Sequence, residues 1–357
     1  MNLPGCILMI VTVSTVLTAQ QTSLDDRATK LPLPSVLPLQ SAGEATITSE
    51  VAFGYFGPAR CQEGNVYVRP IPPDASPLIA PVVRINAGGK SSARFDLREV
   101  PSLLGKEFVA PGYAVDQFGR VYFVVRLVDA ANHHSEKTTL VRFSKNGNYL
   151  SETTLDRTIW PYSLAIFSDG SFFVAGVAAA PYEHERAAYE PSEYLIFDAE
   201  GHVVRNLKTR DPFLEPEKTK GLGAINPAVQ YGDAVVEGDQ LYLLKYGSVP
   251  IVEIWTAAGQ QLKSIKLPVP VKDATTSNLI VASGKMSVEF HGPAVKNPSG
   301  RPSAETIWGI YDTNTGDVTG FYGRGSVRGR AVCLQRDGFL FLVAKSDHFA
   351  LSDVKPE

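Results

Sequence analysis

VDQFGRVYFVV, residues 115–125, followed by TLVRFSKNG, residues 139–147, decides the fold. Val, Tyr and Phe crowd both sides of a turn at Gly119, and a further apolar run leads to a turn at Gly147, the pattern of two successive β-hairpins. The unit recurs. CQEGNVYV (61–68), IFSDGSFFVAG (166–176), VVEGDQLYLL (235–244), VASGKMSVEF (281–290) and LQRDGFLFLVA (334–344) repeat the first hairpin. Its turn glycines, Gly64, Gly119, Gly170, Gly238, Gly284 and Gly338, are spaced 55, 51, 68, 46 and 54 residues apart. The second hairpin returns in PVVRINAGG (81–89), EYLIFDAEG (193–201), IVEIWTAAG (251–259) and WGIYDTNTG (308–316), and after the last unit only HFALSDVKPE (348–357) remains.

Four short antiparallel strands per repeat of this length make a β-propeller blade, which buries both its faces only between neighbours. The expectation is an all-β fold, a six-bladed β-propeller over residues 46–357 with four antiparallel strands per blade. The last blade lacks an outer strand, and an unpaired edge invites aggregation. TITSEVAF (46–53) alternates like a strand and is expected to close the ring there.

Val115-Asp116-Gln117-Phe118-Gly119-Arg120-Val121-Tyr122, followed by Leu140-Val141-Arg142-Phe143-Ser144-Lys145-Asn146-Gly147, resembles the repeats of bacterial six-bladed propellers of the NHL-repeat and TolB-like kind. That resemblance implies a scaffold used for protein binding, lactone hydrolysis and lyase chemistry, so the fold names no activity. Lactonases of the gluconolactonase kind hold a divalent metal with Glu, Asn and Asp of the inner strands. Here only Asp116 and Asp233, with Asn278 and Asn226, answer that pattern, and GPARC (57–61) lacks a Glu. No metal and no cofactor are expected, and a metal-dependent lactonase, esterase-like hydrolase or lyase stands as the alternative reading.

Lys+Arg 34 against Asp+Glu 37, a net charge of −3, gives no basic excess for nucleic acid. CILMIVTVSTVL (6–17) is an uncharged apolar run of signal-peptide length, so residues 1–19 read as a signal peptide and 20–45, with LPLPSVLPLQ (31–40), as a Pro- and Ser-rich linker. Residues 1–5 carry no Lys or Arg, which keeps an uncleaved anchor as the alternative. The expected product is an extracytoplasmic, periplasmic or secreted monomer with no stable membrane insertion after cleavage. Beyond the signal, Cys61 and Cys333 remain. Their offsets from the turn glycines share parity, on blades that ring closure makes neighbours. Two readings follow: a disulfide, or two buried thiols.

Long insertions gather on the face where the second strand of a blade crosses to the third and where one blade leads to the next: 70–80, 128–137, 178–192, 208–232 and 291–305. Binding residues usually sit on such loops. His133, His134, His184 and His291 map there and read as solvated loop histidines. His184-Glu185 fails as HExxH because residue 188 is Ala, and Ser326 fails as a nucleophile elbow because Arg324 stands two residues before it. Arg324, Arg328 and Arg330, with Arg157, supply guanidiniums suited to carboxylates or phosphates. Trp160 and Tyr162, with Tyr182, Tyr189 and Phe213, supply aromatic anchors. The expected function is an exported binding module, more than an enzyme, that takes a protein or small-molecule partner on this loop-rich face.

Overall fold

The computed structural model describes residues 33–47, 57–71, 76–128, 135–178, 192–207, 233–245, 250–293, 295–296, 302–303, 305–345 and 348–357. Its elements are strands, apart from two single 3₁₀ turns at Leu97–Glu99 and Pro101–Leu103. After β1 (Val36–Thr46) come β2 (Arg60–Gln62), β3 (Asn65–Val68), β4 (Val82–Ile85) and β5 (Ser91–Phe95), which pair antiparallel in chain order. The sheets β6 (Glu107–Val115), β7 (Val121–Val128), β8 (Ser135–Phe143), β9 (Tyr149–Thr154) and β10 (Ile159–Ile166), β11 (Phe172–Ala178), β12 (Ser192–Phe197), β13 (Val203–Asn206) repeat that order. So does the sheet of β14 (Ala234–Glu237), β15 (Gln240–Lys245), β16 (Ile251–Thr256) and β17 (Gln261–Lys266).

The rest of the chain supplies β18 (Thr275–Ala282), β19 (Lys285–His291), a small hairpin of β20 (Val295–Lys296) and β21 (Pro302–Ser303), then β22 (Thr306–Asp312), β23 (Val318–Gly323), β24 (Arg330–Leu334), β25 (Phe339–Ala344) and β26 (Phe349–Pro356). These build one eight-stranded sheet ordered β18-β19-β22-β23-β1-β26-β25-β24. Its only parallel step is β1 on β23, three residue pairs from Val36–Phe321 to Pro38–Gly323. The remainder of β1 runs antiparallel to β26, from Leu39–Pro356 to Thr46–Ala350. The arrangement is a β-propeller of four-stranded antiparallel runs. Their first strands adjoin in a circuit, β2 beside β6, then β10, β14, β18, β24 and back to β2.

The strand expected over 46–53 to close the ring is corrected. Residues 48–53 lie outside the described residues, and the strand beside β26 is β1, taken from the stretch read as linker. The sequence hides it for a physical reason. Outer strands face solvent on most of their length, so β1 buries only Leu39 fully and carries no alternation, and it changes partner and bulges near Gly43.

Successive sheets clamp apolar layers. Tyr67, Phe95, Phe123 and Phe143 fill the layer between the first two chain-order sheets, and Val66, Val68, Leu340 and Leu351 fill the one between β3 and the β25-β26 pair. Each fully buried Phe or Leu contributes about 1.5–3 kcal/mol by area removed from water.

The turn glycines of the second hairpins also dock neighbouring sheets. A Cβ on Gly147 would strike the Arg94 carbonyl of β5, one on Gly201 the Thr154 carbonyl of β9, and one on Gly89 the Thr46 carbonyl of β1. Gly147 further holds φ +92°, a conformation that side-chain-bearing residues rarely adopt. Gly147→Ala is therefore expected to destabilise the protein by about 2–3 kcal/mol in equilibrium urea unfolding. Gly112→Ala, where a Cβ meets nothing within 4 Å, is the control and should be neutral.

Candidate functional site

The first strands adjoin around the circuit, and the starts of β2, β6, β10, β14, β18 and β24 surround one mouth of it. Four of them bulge close to that end: between Val109 and Gly112, Pro161 and Ser163, Thr276 and Asn278, and Ala331 and Cys333. A bulge inserts a residue and re-aims its side chain. Tyr162, Ser277 and Val332 are such inserted residues.

Arg60 of β2 and Asp233, just ahead of β14, meet in a two-pronged ion pair of 3.0 and 3.2 Å. Their strands lie three steps apart in either direction around the circuit, so the pair spans the mouth. The two side chains are 14% and 12% exposed, and Asp233 also accepts from the Ala234 N–H at 3.1 Å. Parallel N–H···O bonds between guanidinium and carboxylate fix orientation as well as charge.

On the next strand, Ser277 Oγ lies 2.7 Å from His291 Nε2, and Glu289 Oε1 lies 3.5 Å from the same nitrogen. His291, read from sequence as a loop histidine, is instead the last residue of β19, paired with Thr275. Lys245 and Glu253 form a second enclosed ion pair at 2.8 Å, and Glu253 also accepts from the Trp255 indole at 3.2 Å. Between the first two chain-order sheets, Arg69 is 1% exposed, donates to the Ala110 carbonyl at 2.5 Å and stands 5.5 and 5.4 Å from the Tyr113 and Phe123 rings. Burial pulls its pKa down to about 10.

The residues singled out from sequence fall into two groups. Trp160 and Tyr162 belong to the start of β10, and Arg157 lies just ahead of it. Arg157 pairs with Glu193 at 3.1 Å, Trp160 lies 36% exposed with the Arg126 guanidinium 4.3 Å from its ring, and Tyr162 packs partly buried against the apolar layer with Phe173 and Trp255. Arg324, Arg328 and Arg330 belong to the link from β23 to β24. Arg324 stands 6.0 Å from the Trp308 ring and donates to the Gly329 carbonyl at 3.4 Å, Arg328 is exposed, and Arg330 is half-buried in β24. Tyr182, Tyr189, Phe213, Asn226, His133, His134 and His184 lie outside the described residues.

Asp116 is not a channel ligand. It is 2% exposed and closes its own hairpin, accepting from the Phe118 and Arg120 N–H groups at 2.9 Å, from Arg120 Nε at 2.5 Å and from the Tyr122 hydroxyl at 3.0 Å. Burial, then the neighbouring Asp116 charge, raise the Tyr122 phenol above its ordinary pKa. Asn278 is committed too, its amide donating to the Ala331 carbonyl at 3.3 Å. Among the described residues, no three His, Cys, Asp or Glu converge as a metal site.

Sequence reasoning missed the Arg60–Asp233 pairing and the Ser277–His291–Glu289 contact. The first needs a closed circuit to bring residues 173 apart together, and the second needs a bulge.

No family model matches this chain, and no curated protein sequence matches it. Among solved structures it is similar to the phage phi92 endosialidase, at 8% identity and TM-score 0.51 over 88% of this chain and 69% of that one. It is also similar to the Neurospora crassa Pan2 WD40 domain, at 10% identity and TM-score 0.46 over 90% and 94% of the two chains. A Myxococcus xanthus glutaminyl cyclase aligns at 10% identity and TM-score 0.36 over 91% and 99%. At these identities the endosialidase likeness speaks for the fold alone.

Proposed function

We propose that the chain is an exported six-bladed β-propeller that works as a binding module, its ligand seated on the loop-rich mouth of the channel. Six blades follow from reading the eight-stranded sheet as two four-stranded runs joined by β1, which makes the circuit of first strands sixfold. Export is supported by the apolar run at 6–17 and by a cysteine pair suited to an oxidising compartment. No helix among the described residues is long and apolar enough to cross a membrane.

One observation carries the binding reading: of the three tryptophans, Trp308 and Trp255 are buried at 1% and 8% exposure, whereas Trp160 stays 36% exposed at the mouth. Arg126, itself 7% exposed, lies over its ring. A rigid aromatic face beside guanidiniums suits a sugar ring or the side chain of a docked peptide.

The reading is tested by titrating the protein with neutral oligosaccharides, carboxylated oligosaccharides and peptides while following tryptophan fluorescence. At least one class should give a saturable change. Trp160→Ala should weaken that binding by about ten-fold or more, the loss of a hot-spot contact, with an unchanged melting temperature. Arg324→Ala should weaken it less. Full affinity in Trp160→Ala, or no saturable change with any class, would overturn the reading.

A further inference from the structure

We propose that Ser277, His291 and Glu289 form a nucleophilic site for small acyl esters at the rim of the channel, an activity beyond the binding role of Trp160. The geometry comes from one irregularity. β18 and β19 pair Thr275 with His291, Thr276 with Phe290 and Asn278 with Glu289, so Ser277 is the extra residue of a bulge. In a regular ladder, neighbours along a strand point to opposite faces. The bulge breaks that alternation and brings the Ser277 hydroxyl to His291 Nε2 at 2.7 Å.

The other contacts suit a base. His291 has 34% of its side chain exposed, so solvent reaches the ring. Glu289 has 7% of its side chain exposed, and its Oε2 has no hydrogen-bond partner among the described residues. Its Oε1 faces His291 Nε2 at 3.5 Å, the nitrogen that Ser277 Oγ also meets, so Glu289 is a positioning residue for that edge of the ring.

The chemistry balances without a cofactor. Ser277 Oγ bonds the acyl carbon as its proton passes to His291 Nε2. The ester C–O bond then breaks, and the alcohol leaves with that proton. Water attacks the acyl-serine, giving its proton to Nε2, and Ser277 Oγ departs, recovering a proton as the carboxylic acid is released. Esters with good leaving groups ask least of a base supported by one carboxylate, so these are the expected class.

The test treats the full-length protein with an alkyl fluorophosphonate and maps the modified peptide by mass spectrometry, alongside hydrolysis of p-nitrophenyl butyrate. Ser277 should carry the phosphonyl group. His291→Gln should slow labelling by about 100-fold, the scale of losing a general base. Ser277→Ala should abolish both labelling and turnover. Glu289→Gln should lower kcat, counted per folded molecule, about ten-fold with KM within about two-fold. Melting curves of each variant show that the fold persists. An unlabelled Ser277 in folded protein, or equal labelling rates with and without His291, would overturn the site.

Discussion

Asp233→Ala is expected to lower the unfolding free energy by about 3 kcal/mol, a large share of the stability of an ordinary domain. Arg60 would keep its charge in a place where only 14% of its side chain meets solvent, and both prongs to Asp233 would be gone. Breaking such a pair at one end is costly because the remaining ion has neither water nor partner, whereas removing both ends together is not. Arg60→Met with Asp233→Leu should therefore recover most of the loss. Equilibrium urea unfolding of the wild type, Arg60→Met, Asp233→Leu and the variant carrying both gives the coupling directly. A strictly additive double variant would mean that the pair contributes nothing as a pair.

The same cycle reports on the ring. Arg60 and Asp233 belong to strands that share no sheet and no border in the circuit, β2 touching β6 and β24 while β14 touches β10 and β18. A coupling of about 1 kcal/mol or more between them means that the two sides of the channel hold each other through the mouth in solution.

Much of this architecture is legible in the chain, for reasons visible at single residues. The runs around Gly119 and Gly147 announce their hairpins because strands buried on both faces, such as β7, are apolar almost throughout. β1 is not legible, because an outer strand with one fully buried residue looks like linker. The site divides the same way. Trp160 stands out as a large aromatic at the entry to a first strand, and it is 36% exposed. Ser277 does not, because only the inserted residue between Thr276 and Asn278 sets its hydroxyl against His291. Asp233 shows in sequence only as an inner-strand carboxylate that answers the lactonase pattern, and the partner it meets lies 173 residues away. Side-chain pairing across a closed ring depends on closure, which local pattern does not encode.

Removing the bond between Cys61 and Cys333 is expected to destabilise the protein by about 2–4 kcal/mol and to lower its melting temperature by about 5 °C. The two residues join at a Cα–Cα distance of 5.4 Å across a sequence separation of 272. Loop-closure entropy alone would assign a crosslink of that span about 5–6 kcal/mol. The smaller figure is expected because an unfolded chain of this length keeps residual contacts that already restrict the loop. Cys61 and Cys333 sit within an apolar layer with Val66, Val332 and Leu340, and β1 clips β23 to β26 a short way outward. These contacts hold the first and last sheets together in the folded state whether or not the bond exists. Cys61→Ala with Cys333→Ala should match the reduced wild-type protein in melting temperature, since alanine leaves no polar group in the layer. Non-reducing peptide mapping should find residues 61 and 333 linked. Two free thiols in folded, oxidised protein, or an alanine pair that melts with the oxidised wild type, would assign closure of the ring to β1 and the apolar seam alone.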